Sequence, residues 1–97
     1  MSTTDAVAVV AVLHPLPDRI DEAVAAILAA VPGILAEDGC DQYAPHLGDD
    51  GTIIILERWS SREALAAHNV GAPVEVLRAG VKGLMASPPD VTIAVAL

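Results

Sequence analysis

Apolar positions along this chain follow two periods. Ala6 to Leu13 reads AVAVVAVL, an unbroken apolar run rich in Val and closed by His14-Pro15-Leu16-Pro17. Such a run marks a strand covered on both faces, and the two prolines end its ladder. From Ile20 the spacing changes to threes and fours: Ile20, Ala23, Val24, Ile27, Leu28, Val31, Ile34 and Leu35 form one stripe, with Asp21, Glu22, Ala25 and Ala29 off it. That spacing predicts an amphipathic helix starting at Arg19 behind an Asp18 N-cap, its first turn carrying Asp21 and Glu22 where the helix end is partly positive. Pro32 removes a backbone donor and presses on the Leu28 carbonyl, and Gly33 weakens the joint. The apolar period nevertheless passes through both, so the helix is expected to kink or restart there and reach about Glu37.

Asp38-Gly39 ends that helix. Cys40 to Leu47 alternates as a strand, with Cys40, Gln42, Ala44 and His46 on one face and Asp41, Tyr43 and Leu47 on the other, and Pro45 places it at a sheet edge. Gly48-Asp49-Asp50-Gly51 is a turn into Thr52 to Trp59 (TIIILERW), the strand richest in β-branched residues, and the two form a hairpin. Ser60 or Ser61 caps a short helix, Ser60 and Glu63 having capping-box spacing, and Ala64, Leu65 and His68 share its inner face before Asn69-Val70-Gly71 stops it. Pro73 opens another helix that carries Val74, Leu77, Val81, Leu84 and Met85 inward and ends at Ser87-Pro88-Pro89-Asp90. Val91 to Leu97 is a last apolar strand.

The order is β-α-β-β-α-β, with the second helical region broken in two. It predicts an α+β, ferredoxin-like fold: one domain over residues 1–97, a four-stranded antiparallel sheet with helices on one face. The strands are apolar on both faces, Ile54 and Leu56 against Ile53 and Ile55 for example, yet the helices can cover only one. An identical sheet is the simplest cover, so a homodimer through the open sheet face is expected.

Composition points the same way. Of 97 residues 54% are hydrophobic, with no Phe to give them bulk, a surplus of apolar area for so short a chain. The net charge of −8 repels phosphate backbones and anionic lipid, which sets aside nucleic acid and membrane surfaces as partners. No apolar run reaches membrane-spanning length, and Met1-Ser2-Thr3-Thr4-Asp5 lacks the basic start of a secretory leader. A cytoplasmic protein is expected, and its single cysteine, which cannot form an internal disulfide, fits a reducing compartment.

The only Cys, Tyr and Trp and two of the three His fall between Gly39 and Asn69. Glu57 and Trp59 share one face of their strand. Folding the following helix back over the sheet would bring His68 over that face, making a pocket for a flat aromatic molecule, walled by Trp59 and edged by Tyr43, His68 and Asn69. Each residue also has a plain packing role: Trp59 as core, His68 as a hydrogen-bonded helix residue, Cys40 as a small hydrophobe, Tyr43 as a sheet cover, Glu57 as an ion-pair partner. His14, His46 and His68 lack metal-ligand spacing, one Cys makes no zinc site, and no glycine-rich turn offers a phosphate cradle, so no metal or cofactor is expected.

Gly39-Cys40-x-x-Tyr43, then Glu57-x-Trp59-x-Ser61 with Ala64 and Leu65, then His68 resemble, in order and separation, the antibiotic biosynthesis monooxygenase domain family. The likeness runs over nearly the whole chain. It implies a dimeric α/β barrel in which two sheets face each other, with a pocket in each subunit between sheet and helices. Monooxygenase members oxidise phenolic, quinol or anthrone-like substrates with molecular oxygen and no metal or flavin: a hydroxyl is deprotonated, and the electron-rich anion reacts with oxygen. On that likeness His68 and Asn69 are the candidate catalytic residues, and Trp59, Tyr43, Glu57 and Cys40 the candidate substrate-binding residues. A non-catalytic pocket protein is the alternative. A haem degrader is a further one, but that branch uses a first-strand Asn that Ala6 to Leu13 lacks.

Overall fold

The computed structural model describes residues 5–97; the leader reading at Met1 to Thr4 lies outside them. The elements are β1 (Val7–Pro15), α1 (Ile20–Leu35), β2 (Cys40–Leu47), β3 (Ile53–Trp59), α2 (Arg62–Asn69), α3 (Ala72–Val81) and β4 (Met85–Ala94). The strands form one antiparallel sheet in the order β2-β3-β1-β4, the ferredoxin-like arrangement. Alternation decides the faces of the two central strands. Val7, Val9, Ala11 and Leu13 of β1 and Ile53, Ile55, Glu57 and Trp59 of β3 are buried against the helices. Val10 and Leu56 lie on the opposite face, 38% and 36% exposed.

Helix α1 passes through Pro32, as the apolar period requires, and buries Ala23, Ile27, Ala30 and Ile34. Three expectations about it need correction. Arg19, not Asp18, is the N-cap residue and makes no side-chain cap bond. Leu28 and Leu35 are exposed, whereas Ala30 is buried, because the buried row runs along Ala23, Ile27, Ala30 and Ile34 with Val24 and Val31 at its margin. The helix also closes at Leu35, two residues short of Glu37. At α2 the cap is Ser61, whose Oγ accepts the Ala64 N–H at 3.0 Å, so the capping-box pair of Ser60 and Glu63 does not form.

The last strand differs most from its sequence pattern. Helix α3 ends at Val81, Gly83 turns the chain at a φ of +80°, and β4 then runs from Met85 through both prolines. Two prolines are tolerated because β4 is an edge strand and its pairing with β1 shifts register between Val12↔Asp90 and His14↔Ser87, which leaves Pro88 and Pro89 unpaired. A second irregularity sits in β2, where Cys40 pairs with Trp59 but Gln42 pairs with Arg58, so Asp41 is extra. This bulge turns Cys40 and Tyr43 to the same, helix-covered side, where strict alternation had separated them.

Candidate active site

The helices cover β1, β2 and β3 but leave the inner face of β4 bare. Val91 and Ile93, paired with Ala11 and Val9, are about half exposed and line the rim of a cavity of about 330 Å³ between the sheet and helices α2 and α3. Its floor is Val9, Ala11 and Ile55, and its roof is Leu65, Val74 and Leu77. The polar lining is confined to Tyr43, Glu57, His68, Asn69 and Arg78, of which Arg78 is already engaged by Glu75 Oε1 at 2.6 Å and the Asn69 carbonyl at 3.1 Å.

His68 is placed by the Ser61 cap and two turns of α2, and is 4% exposed. Its Nδ1 lies 2.7 Å from Glu37 Oε1, and its ring sits 4.5 Å from the Trp59 ring and 5.8 Å from that of Tyr43, centroid to centroid. Trp59 donates its indole N–H to Glu57 Oε1 at 2.9 Å. Among the described residues no buried side-chain nitrogen or oxygen is sealed without a partner. His68 Nε2, Tyr43 Oη and Glu57 Oε2 have no hydrogen-bond partner there and none of them is sealed from solvent, and all three residues line the cavity.

Burial sets the protonation of these groups. It pushes the Glu57 carboxyl above the ordinary range, with the Trp59 N–H and the nearby His68 pulling the other way. It pushes the Tyr43 hydroxyl well above its usual value, aided by the charge of Glu57, so Tyr43 remains a phenol and a hydrogen-bond donor. The Cys40 thiol is likewise raised by burial and by Glu37 and Glu57, which keeps it a thiol and a poor nucleophile.

Of the residues singled out in the sequence, His68, Asn69, Tyr43 and Glu57 come together on this cavity. Trp59 and Cys40 do not line it. Trp59, 1% exposed, lies behind His68 and Glu57, and Cys40 is half-buried with its thiol 3.7 Å from the Gln42 carbonyl. Sequence reasoning missed Glu37, read only as a helix end, and Arg78 at the cavity mouth. Among the described residues no three His, Cys, Asp or Glu cluster as a metal site, and no helix is long and apolar enough to cross a membrane.

Comparison with known proteins agrees with this architecture. The chain is 35% identical over 91 residues to Rv0793 of Mycobacterium tuberculosis, covering 93% of this chain and 90% of the relative. It is 30% identical over 77 residues to YcnE of Bacillus subtilis, covering 77% and 81%. Both relatives are named putative monooxygenases. The solved structure of Rv0793 superposes with a TM-score of 0.87 at 34% identity over 95% of each chain. PA3566 of Pseudomonas aeruginosa, 20% identical, shares the fold with a TM-score of 0.88 over 100% of this chain and 99% of that one. The family model for antibiotic biosynthesis monooxygenases matches residues 6–78, which with the Rv0793 likeness over nearly the full length shows that the chain belongs to the antibiotic biosynthesis monooxygenase family.

Proposed function

We propose that this chain is a cofactor-independent monooxygenase acting on a phenolic, quinol or anthrone-like aromatic molecule. One observation carries the proposal: an apolar cavity lined by His68, Tyr43 and Glu57, whose Nε2, Oη and Oε2 are unpaired and unsealed. An apolar slot with few convergent polar groups suits a flat ring bearing hydroxyls. His68 Nε2 is placed to accept a hydroxyl proton, and the Tyr43 hydroxyl to donate to the oxyanion that results. The anion supplies the electrons: a substrate SH2 and O2 become SO and H2O, one oxygen atom remaining on the ring and the two hydrogens leaving in water. Asn69 at the cavity edge contacts the part of the ring system that faces the mouth. Trp59 acts from behind, as the surface on which His68 rests, rather than stacking on the substrate.

The test is oxygen uptake with a panel of hydroquinones and anthrones, with and without chelator, and product mass under labelled oxygen. We expect one labelled oxygen atom per product. His68→Gln should lower kcat by about 100-fold while KM changes little, within the 10²–10⁴ range for general base catalysis. Ligand binding without oxygen uptake above the His68→Gln background would assign the cavity to a binding protein instead.

A further inference from the structure

Glu37 follows α1 by two residues and is 31 positions from His68, and no part of the reaction outlined above uses it. Among the described residues its carboxylate nevertheless makes the single side-chain bond to His68, at 2.7 Å, with both side chains largely out of solvent, 17% and 5% exposed. The backbone leaves room for it. A Cβ built on Gly71 would stand 3.0 Å from Glu37 Oε2 and 3.1 Å from the Ala67 carbonyl, so the turn between α2 and α3 lies close over the carboxylate and a side chain at residue 71 would crowd it.

We infer that Glu37 is a positioning residue for the reaction, holding His68 as the Nδ1–H tautomer so that Nε2 faces the cavity as the base. This rests on the monooxygenase reading for its catalytic consequence, but not for its structural content. A carboxylate accepts and cannot donate, so neutral His68 carries its hydrogen on Nδ1 and leaves a lone pair on Nε2. Trp59 packs against the ring at 4.5 Å between centroids, tilted by 35°, so the imidazole is supported from behind as well as hydrogen-bonded at Nδ1. When Nε2 takes a hydroxyl proton from the substrate, the imidazolium forms beside the Glu37 carboxylate, and no bond to Glu37 changes. The other ionisable groups around the ring do not compete for Nδ1. Glu57 is held by Trp59, Tyr43 and Cys40 remain protonated, and Arg78 is engaged at the mouth.

The experiment is long-range proton–nitrogen NMR on the intact protein with labelled histidine, with His68 assigned by loss of its signals in His68→Gln. Turnover is measured alongside. Wild type should show His68 with a bare Nε2. Glu37→Ala should release it to a mixture of tautomers, while Glu37→Gln, whose amide can accept from Nδ1–H or donate to a bare Nδ1, should hold the tautomer less firmly than wild type. The kcat values should fall in the order wild type, Glu37→Gln, Glu37→Ala, on the order of 100-fold overall, with KM within about threefold. A residue that only supported packing would move neither the tautomer nor that ordering. A protonated Nε2 in wild type, or an unchanged tautomer in folded Glu37→Ala, overturns the inference. If Glu37→Ala does not fold, the wild-type tautomer and the Glu37→Gln rate decide. If no substrate is turned over, the tautomers still judge Glu37 while the monooxygenase reading falls separately.

Discussion

Trp59→Phe separates a ligand wall from a buried support. The indole is 1% exposed and its N–H donates to the carboxyl of Glu57, itself 7% exposed. Phenylalanine retains a ring under His68 but leaves Glu57 Oε1 without its donor. Losing a hydrogen bond to a charged or partly charged buried acceptor costs about 1.5–3 kcal/mol. The smaller ring leaves a void worth on the order of 1 kcal/mol more. The sum, about 3 kcal/mol, is a large part of the roughly 5–15 kcal/mol that holds a domain of this size together. At roughly 4–8 °C per kcal/mol, the melting temperature should fall by roughly 12–25 °C. The assay is thermal and urea unfolding by far-UV circular dichroism at fixed protein concentration, since the variant has no Trp to fluoresce. A cycle with Glu57→Gln should show coupling of about 1 kcal/mol or more, because both changes act on one bond. Melting within about 2 °C of wild type, with aromatic ligand binding lost, would refute the buried-support reasoning and restore Trp59 as a wall.

Burial raises the Glu57 carboxyl, so the folded chain holds that proton more tightly than the unfolded one; the stabilisation is complete below the ordinary Glu value of 4.5 and is lost as pH rises through the elevated folded value. Glu57→Gln should therefore gain stability relative to wild type as pH rises above about 4.5, and a difference in urea unfolding that stays flat to pH 8 would contradict this. We also propose that two chains pair through the open sheet face, where Val10 and Leu56 are over a third exposed beside Ile54 and Val12, burying about 1,500 Å² or more in total. The unfolding midpoint should then rise with protein concentration and Leu56→Asp should lose soluble folded protein, whereas a stable folded species of 9.9 kDa at micromolar concentration would defeat the pairing.

Much of this protein is written in local pattern. An unbroken apolar run marked β1, alternation marked β2, β-branched content marked β3, and spacing by threes and fours marked α1 and the inner face of α2, because strands and helices turn side chains inward at those periods. The same periods put Glu57 on the helix-covered face and His68 on the inner face of α2. Three features needed the tertiary structure. Strand β4 passes through Pro88 and Pro89 because it lies at the sheet edge, and no local signal reports an edge. The extra residue Asp41 turns Cys40 to the side of Tyr43, and a bulge shows only in the partner strand's register. Glu37 meets His68 only because α1 and α2 end at the same corner of the sheet. A contact across 31 residues leaves no trace in the spacing of either. The sequence determined which residues could carry chemistry, and packing decided which of them face the cavity and which stand behind it, since exposure and hydrogen-bond partnership belong to the assembled layers.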